Sequence, residues 1–316
     1  MAVPNSFATR CLPFGPAALA EGAACIARGE PVAIATETVY GLAADATNPR
    51  AVAAIYAAKG RPSFNPLIVH VASLAAAEAL AVFDPAARAL AAAFWPGPLT
   101  LVLPQRAGAG IASLATAGLE TVAIRVPAHP AIRGLLKASG KPLAAPSANA
   151  SGAISPTRAA HVLMSLGGRI PLVIDDGPSA QGLESTIVRT GDTPQLLRPG
   201  PITAAAVAAV IGMPLAEMAG GIVAPGQLAS HYAPAKPLRL GAHDAGPDEW
   251  LIGFGAVAGD DTLSATGDLY EAAANLFDAL HGADASTRRT IAVAPVPGDG
   301  LGAAINDRLA RAAHRG

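Results

Sequence analysis

The chain has 316 residues, of which 52% are hydrophobic and 14% charged, and its formal net charge is -1. That balance excludes a disordered chain and a broadly basic nucleic-acid coat, and 33 glycines with 28 prolines exclude an all-helical bundle. The length exceeds what one average core organises, so a large α/β domain and a smaller second domain are expected.

A mean hydropathy of +0.40 raises the possibility of a membrane span. Two uncharged stretches, Ala89–Gln105 and Pro199–Ala216, approach spanning length, but Pro96, Pro98 and Pro104 interrupt the first and Pro201 and Pro214 the second. No membrane segment is expected. Residues 1–15 lack a basic flank followed by an apolar block, so no secretion signal is read and a cytoplasmic location is expected. Cys11 and Cys25 are the two cysteines, without a second ligand pair at metal spacing, so neither a disulfide framework nor a zinc site is indicated.

In chain order, Leu19, Ala23 and Ile26 space as one helix face before Gly29, and Pro31–Thr36 reads as a strand running into a polar turn. A second helix, Arg50–Lys59, is stopped by Gly60 with Pro62 just beyond, which places Lys59 and Arg61 at a helix exit. Strand-like runs follow at Leu67–Val71, Leu99–Leu103, Thr121–Val126, Leu172–Ile174 and Thr186–Arg189, and Asp84-Pro85 is a helix start. Beyond Ile211 the texture changes. Residues 212–237 read as an extended linker between a domain over 1–211 and a small α/β domain over 238–316. The latter has a strand at Trp250–Gly253, a helix near Asp268–Leu280, a strand at Thr290–Ala294 and a helix near Leu301–Ala313. It has no Gly-x-Gly-x-x-Gly turn, so a dinucleotide role is not supported.

Three segments could carry chemistry. Thr36-Glu37-Thr38-Val39-Tyr40-Gly41-Leu42 gathers hydroxyls, a carboxylate and a phenol at a strand end, where α/β proteins commonly bind ligands. Lys59-Gly60-Arg61 sets two cations at a helix exit, where they can converge on a polyphosphate, although an isolated Lys-x-Arg is ordinarily a solvated pair. No Gly-x-x-x-x-Gly-Lys-Ser/Thr segment exists, so a P-loop is excluded. Asp175-Asp176 before Gly177-Pro178 reads as a strand-end turn rather than a metal site.

The ordered set Thr36-Glu-Thr-Val-Tyr-Gly-Leu, Lys59-Gly-Arg-Pro with Asn65-Pro-Leu and His70, and Ser147-Ala-Asn149-x-Ser151-Gly resembles the YrdC-like threonylcarbamoyl-AMP synthase family. The likeness continues through Trp95-Pro-Gly-Pro, Thr121-Val-Ala-Ile-Arg125, Ser155-Pro-Thr157, Glu184-Ser185 and Leu197-Arg198-Pro-Gly. Pro225-Gly226 with His231-Tyr232-Ala-Pro, and Gly300-Leu-Gly302 through Asn306-Asp307-Arg308-Leu, are similar to the linker and C-terminal domain of its longer members. The linker departs from the family pattern between Pro225-Gly226 and His231, where the basic and aromatic residues often found are replaced by Gln227-Leu-Ala-Ser230.

The resemblance implies a twisted mixed sheet with flanking helices, joined by the linker to a small Rossmann-like domain. It implies condensation of L-threonine, bicarbonate and ATP into threonylcarbamoyl-AMP, releasing pyrophosphate, for modification of an adenosine in tRNA. Downstream tRNA threonylcarbamoyl-transfer enzymes and a weak tRNA contact are the implied partners. By the same resemblance Lys59 and Arg61 face the phosphates and Arg125 grips the threonine carboxylate, with Thr38, His70, Ser147 and Ser185 completing the amino-acid pocket. Asn65, Thr121, Asn149, Thr157 and Arg198 map to ATP contacts, with His231 or Tyr232 folding over from the linker. Mg²⁺ is expected to arrive with ATP rather than in a dedicated cage. Two rivals are a carbamoyltransferase of hydrogenase maturation, which carries extra acylphosphatase-like and zinc-finger modules, and a non-catalytic RNA-binding module.

Overall fold

The computed structural model describes residues 7–216, 224–226 and 231–314. The first domain runs β1 (Arg10–Pro13), α1 (Pro16–Arg28), β2 (Val32–Ile34), β3 (Gly41–Asp45), α2 (Pro49–Lys59), β4 (Ile68–His70), α3 (Leu74–Glu78) and α4 (Pro85–Phe94). It continues with β5 (Leu99–Pro104), β6 (Thr121–Arg125), α5 (Pro130–Ser139), β7 (Leu143–Ala144), α6 (Ala159–Leu166), β8 (Leu172–Asp175), β9 (Thr186–Arg189), β10 (Gln195–Arg198) and α7 (Ala204–Ile211). The second domain has β11 (Leu238–Leu240), β12 (Glu249–Gly253), β13 (Asp261–Thr262), α8 (Leu269–Ala285), β14 (Thr290–Val293) and α9 (Leu301–Ala313).

Helix starts follow from local chemistry. Asn48 caps α2 by accepting from the Arg50 and Ala51 N–H groups, and Asp84 caps α4 by accepting from Ala87, each with proline at the first helical position. Gly60 ends α2 at φ 62, a left-handed conformation that a side chain would disfavour. That turn sends Arg61 away from the helix axis.

Among the described residues the larger sheet is ten-stranded and mixed, in the order β1-β8-β2-β3-β7-β4-β6-β5-β9-β10, and the smaller is β11-β14-β12-β13 and wholly parallel. The mixed α/β class and the Rossmann-like second unit are therefore as the sequence reads them. Several short strands are not. β3, Gly-Leu-Ala-Ala-Asp, has no β-branched residue and starts inside the segment read as a turn; it is a strand because antiparallel pairing with β2 and β7 buries all five residues.

Most of the first domain's apolar side chains form one cluster on the large sheet. A second cluster unites the two domains, because Val39, Ile154, Leu183 and Tyr232 pack with Phe277, Leu280 and Ile305. At about 1.5–3 kcal/mol for each large apolar side chain removed from water, this shared core fixes the second domain against the first. At the rim, Arg158 grips Asp278 with two hydrogen bonds of 2.7 and 2.9 Å, and the His161 and His281 rings stack at 3.8 Å. The sequence reads 212–237 as extended rather than packed, and its described parts correct this. Ala216 bridges to Gln195, Ala233 bridges to Ala153, and Ala224 and Tyr232 are buried, because their apolar atoms complete cores of the two domains. Residues 217–223 and 227–230, the Gln227–Ser230 departure included, lie outside the described residues, as do residues 1–6 of the N-terminal segment. Among the described residues no helix is long and apolar enough to cross a membrane.

Candidate active site

A cavity opens at the strand ends, where the Thr36 turn after β2, the ends of β4, β6 and β10, the entry to β9 and the linker converge. Nine of the fourteen residues that the sequence nominates line it: Thr38, Arg61, His70, Arg125, Ser147, Ser185, Arg198, His231 and Tyr232. Its volume is about 40 Å³, with linker residues Pro225, Gly226, His231 and Tyr232 forming one wall.

Arg125 emerges from the apolar β6 and is 3% exposed. Its Nε donates to the Gly97 carbonyl at 3.1 Å and its Nη1 to Thr38 Oγ1 at 3.0 Å. Its Nη2 lies 2.7 Å from Glu37 Oε1, an ion pair off the line a full hydrogen bond requires. Glu37 also accepts from the Ala128 and His129 N–H groups just ahead of α5. Burial alone would raise its pKa, but the Arg125 charge and the Ala128 N–H outweigh burial and hold it at about 2. Glu37, quoted in the sequence motif without a role, is thus the counter-charge that keeps Arg125 in place. Only the fold brings the two together.

The Thr36 turn is tied internally. Thr36 Oγ1 donates to the Val39 carbonyl at 2.5 Å and shares a 2.9 Å hydrogen bond with Thr38 Oγ1. Its conformation is set by hydroxyls that stand in for a backbone ladder. His70, at the end of β4, is held neutral by burial, with the nearby Arg125 charge adding to the effect, at a pKa of about 3. Its Nδ1 is buried without a partner, as are His231 Nδ1 and Asn65 Nδ2. Unpaired buried polar atoms are costly, and two of these three, on His70 and His231, belong to residues that line the cavity, as suits a polar ligand.

Arg61 and Arg198 supply the remaining cavity cations. Arg61 donates from Nε to the Asn65 carbonyl, and from Nη2 to Asn65 Oδ1 at 2.7 Å and the Pro66 carbonyl at 2.9 Å. Arg61 is 9% exposed, and burial lowers its pKa to about 10, still fully charged at neutral pH. Arg198 donates to the Ser185 carbonyl at 3.0 Å and to Ser185 Oγ at 3.1 Å, and Ser185 Oγ shares a further 2.7 Å bond with Thr100. Gly226, at φ 84, lets the linker approach these groups: a Cβ there would lie 2.8 Å from the Tyr232 hydroxyl and 2.9 Å from Arg198 Cδ.

Five nominated residues do not line the cavity. Lys59, read as facing the phosphates, turns its ammonium onto the Ser147 and Asn149 carbonyls at 2.6 and 2.5 Å, and its own carbonyl accepts from the Ser151 N–H. It fastens the Ser147–Ser151 loop to the exit of α2, since a buried ammonium requires acceptors and these carbonyls are the nearest. Burial and the Arg61 charge hold its pKa well below the usual lysine value. Asn149 donates to the Ala153 carbonyl at 2.8 Å within that loop, and Asn65 braces Arg61 from behind. Thr121 begins β6 on the same face as Arg125 but about 13 Å along the strand. Thr157 faces away, its N–H donating to His161 Nδ1, and lines a separate cleft between the domains with Arg158 and Asp278.

Buried arginines converging with hydroxyls and unpaired imidazole nitrogens beside the interdomain linker are the kind of site an α/β enzyme offers an anionic ligand. Residues 24–200 match the Sua5/YciO/YrdC family model, described as "Telomere recombination", and residues 202–314 match the model for the threonylcarbamoyl-AMP synthase C-terminal domain. The chain belongs to this family, in its two-domain form. It is 42% identical to the threonylcarbamoyl-AMP synthase of Bacillus subtilis, over 93% of this chain and 92% of that one. It is 39% identical to that of Pyrococcus abyssi, over 91% of each. The crystal structure of P. abyssi Sua5 complexed with L-threonine superposes with a TM-score of 0.88 at 36% identity, covering 96% of this chain and 97% of that one. A P. abyssi Sua5 variant with a histidine and a tyrosine replaced by alanine superposes equally well, at a TM-score of 0.88.

Proposed function

We propose that this chain is a nucleotidyltransferase, an L-threonylcarbamoyladenylate synthase that condenses L-threonine, bicarbonate and ATP. The observation that carries the reading is the convergence of Arg61, Arg125 and Arg198 with Thr38 and Ser185 in one buried cavity. In the first step the threonine amine adds to the bicarbonate carbon and water leaves, giving a carbamate. A carbamate oxygen then attacks the α-phosphorus of ATP, the bond from that phosphorus to the bridging oxygen of the β-phosphate breaks, and pyrophosphate departs. No enzyme nucleophile is needed. The protein's part is alignment and neutralisation of charge on the departing phosphates.

Arg125, steadied by Glu37 and Thr38, meets the threonine carboxylate, and Arg61 and Arg198 meet the polyphosphate. His70, held neutral, offers Nδ1 as a hydrogen-bonding partner rather than a charge. Among the described residues no group of three or more His, Cys, Asp or Glu could hold a metal, and Glu37 and Glu184 are both paired with arginines. In this reading Mg²⁺ would enter on the phosphates of ATP. The product would pass to tRNA threonylcarbamoyl-transfer enzymes.

The rivals have less behind them. A full-length hydrogenase-maturation protein, HypF, shares the fold at 18% identity, and the match covers 30% of that chain. An RNA-binding role calls for exposed cations, whereas the arginines gathered here are buried. The test is pyrophosphate release by the full chain. Turnover that requires ATP, L-threonine and bicarbonate together is expected, and no turnover with all three would end the proposal.

A further inference from the structure

The sequence motif Asn306-Asp307-Arg308 lies on α9 of the second domain, and the chemistry above gives it no part. Arg308 is nevertheless fully buried behind the cavity, against the lining residues Glu184 and Tyr232. Its Nε donates to Glu184 Oε2 at 2.8 Å, its Nη1 to Asp307 Oδ2 at 2.7 Å and its Nη2 to the Pro199 carbonyl at 3.0 Å. Its guanidinium carbon stands 5.2 Å from the centre of the Tyr232 ring, within cation–π range. The other oxygen of Glu184, Oε1, accepts from Ser155 Oγ. Both carboxylate oxygens are therefore held, one by each domain.

Glu184 precedes Ser185, the residue that Arg198 grips, and both line the cavity. A carboxylate among cavity cations has two possible partners: a structural arginine outside the cavity, or the arginines awaiting an anionic ligand. Buried charges do not stay unpaired. If Arg308 were absent, Glu184 would turn to Arg198, which already grips the adjoining Ser185.

We propose that Arg308 is a positioning residue for ATP, lent to the active site by the C-terminal domain: it claims the Glu184 carboxylate, so that Arg198 and Arg61 remain available to the polyphosphate. The inference rests on the functional reading above, in which those two arginines receive the phosphates. A purely structural Arg308 would affect folding and the active fraction. A positioning Arg308 affects the KM for ATP, through Glu184.

The experiment uses the full chain in steady-state pyrophosphate release, with wild type, Arg308→Lys, Arg308→Met and the double variant Arg308→Met with Glu184→Gln. Arg308→Met is expected to raise the KM for ATP about tenfold or more while the KM for L-threonine stays within about threefold. The double variant removes both charges and is expected to bring the KM for ATP back to within about threefold of wild type, and Arg308→Lys, which loses the fork but keeps the counter-charge for Glu184, to raise it less than Arg308→Met does. An unchanged KM for ATP in Arg308→Met, or one as high in the double variant as in the single, overturns the proposal. If Arg308→Met does not fold, the double variant decides by the same threefold criterion against wild type. Wild type that neither binds ATP by calorimetry nor releases pyrophosphate overturns the functional reading and this proposal together. Wild type that does both, with the variants off pattern, overturns this proposal alone.

Discussion

Arg125 and Glu37, 88 residues apart in sequence, form a buried ion pair of 2.7 Å at the floor of the cavity, with side chains only 4% and 10% exposed. Charges this deep rely on each other, and removing one leaves the other buried without its counter-charge. Glu37→Gln is expected to cost about 3–5 kcal/mol of stability. Urea unfolding measures it, and a loss below about 1 kcal/mol would show that Arg125 is satisfied without Glu37.

The same guanidinium lines the cavity in which the proposed reaction binds a carboxylate. Arg125→Lys keeps the charge and loses the planar fork, so the KM for L-threonine should rise about tenfold or more with the KM for ATP little changed. Equal rises in both would place Arg125 outside the amino-acid pocket.

Lys59 holds the Ser147–Ser151 loop rather than the cavity. Lys59→Met leaves two buried carbonyls unsatisfied, at about 1–3 kcal/mol each, and frees the loop that carries Ser147. Lower thermal stability together with reduced activity is expected. Reduced activity at unchanged Tm would instead return Lys59 to direct contact with the phosphates.

Gly226→Ala places a methyl group 2.8 Å from the Tyr232 hydroxyl and 2.9 Å from Arg198 Cδ, at a φ of 84 that alanine disfavours. Displacing Arg198 should lower kcat/KM for ATP about tenfold. Wild-type ATP kinetics in this variant would mean that the linker wall does not bear on Arg198.

Acid should destabilise the fold well before its carboxylates titrate. His70 and His231 are depressed to about 3 and His161 to about 4, burial being the main cause in each. As pH falls below the ordinary 6.5, the unfolded chain takes up protons that the folded chain refuses. Stability is therefore full above about pH 6.5 and declines below it, by up to about 1.4 kcal/mol per pH unit for each histidine. Glu37, at about 2 against an ordinary 4.5, adds to the loss at lower pH. Denaturant unfolding at about pH 7.5, 6.5 and 5.5 checks this, and a flat profile would contradict the buried neutral imidazoles.

Much of this was legible in the sequence because it is local. Asn48-Pro49, Asp84-Pro85 and Gly60 specify helix ends through their own backbone chemistry, and alternation of Ala-rich helices with Val- and Ile-rich strands specifies the α/β class. The ordered motifs from Thr36 to Arg308 likewise named most of the residues that line the cavity. The sequence did not show which way the side chains turn. Lys59 and Arg61 are separated by one residue, yet Gly60 sends one ammonium to loop carbonyls and the other cation to the cavity.

Pairings of residues far apart were decided by tertiary structure alone. Glu37 with Arg125, Glu184 with Arg308 and Tyr232 with both domains depend on the sheet order and on the core that the two domains share. By itself the sequence determined the elements, the class and the chemical inventory of the site, because propensity, capping and turn chemistry act over a few residues. Only the packed fold decided which cations stay open to a ligand, because in a desolvated cavity each charge takes the nearest partner that geometry allows.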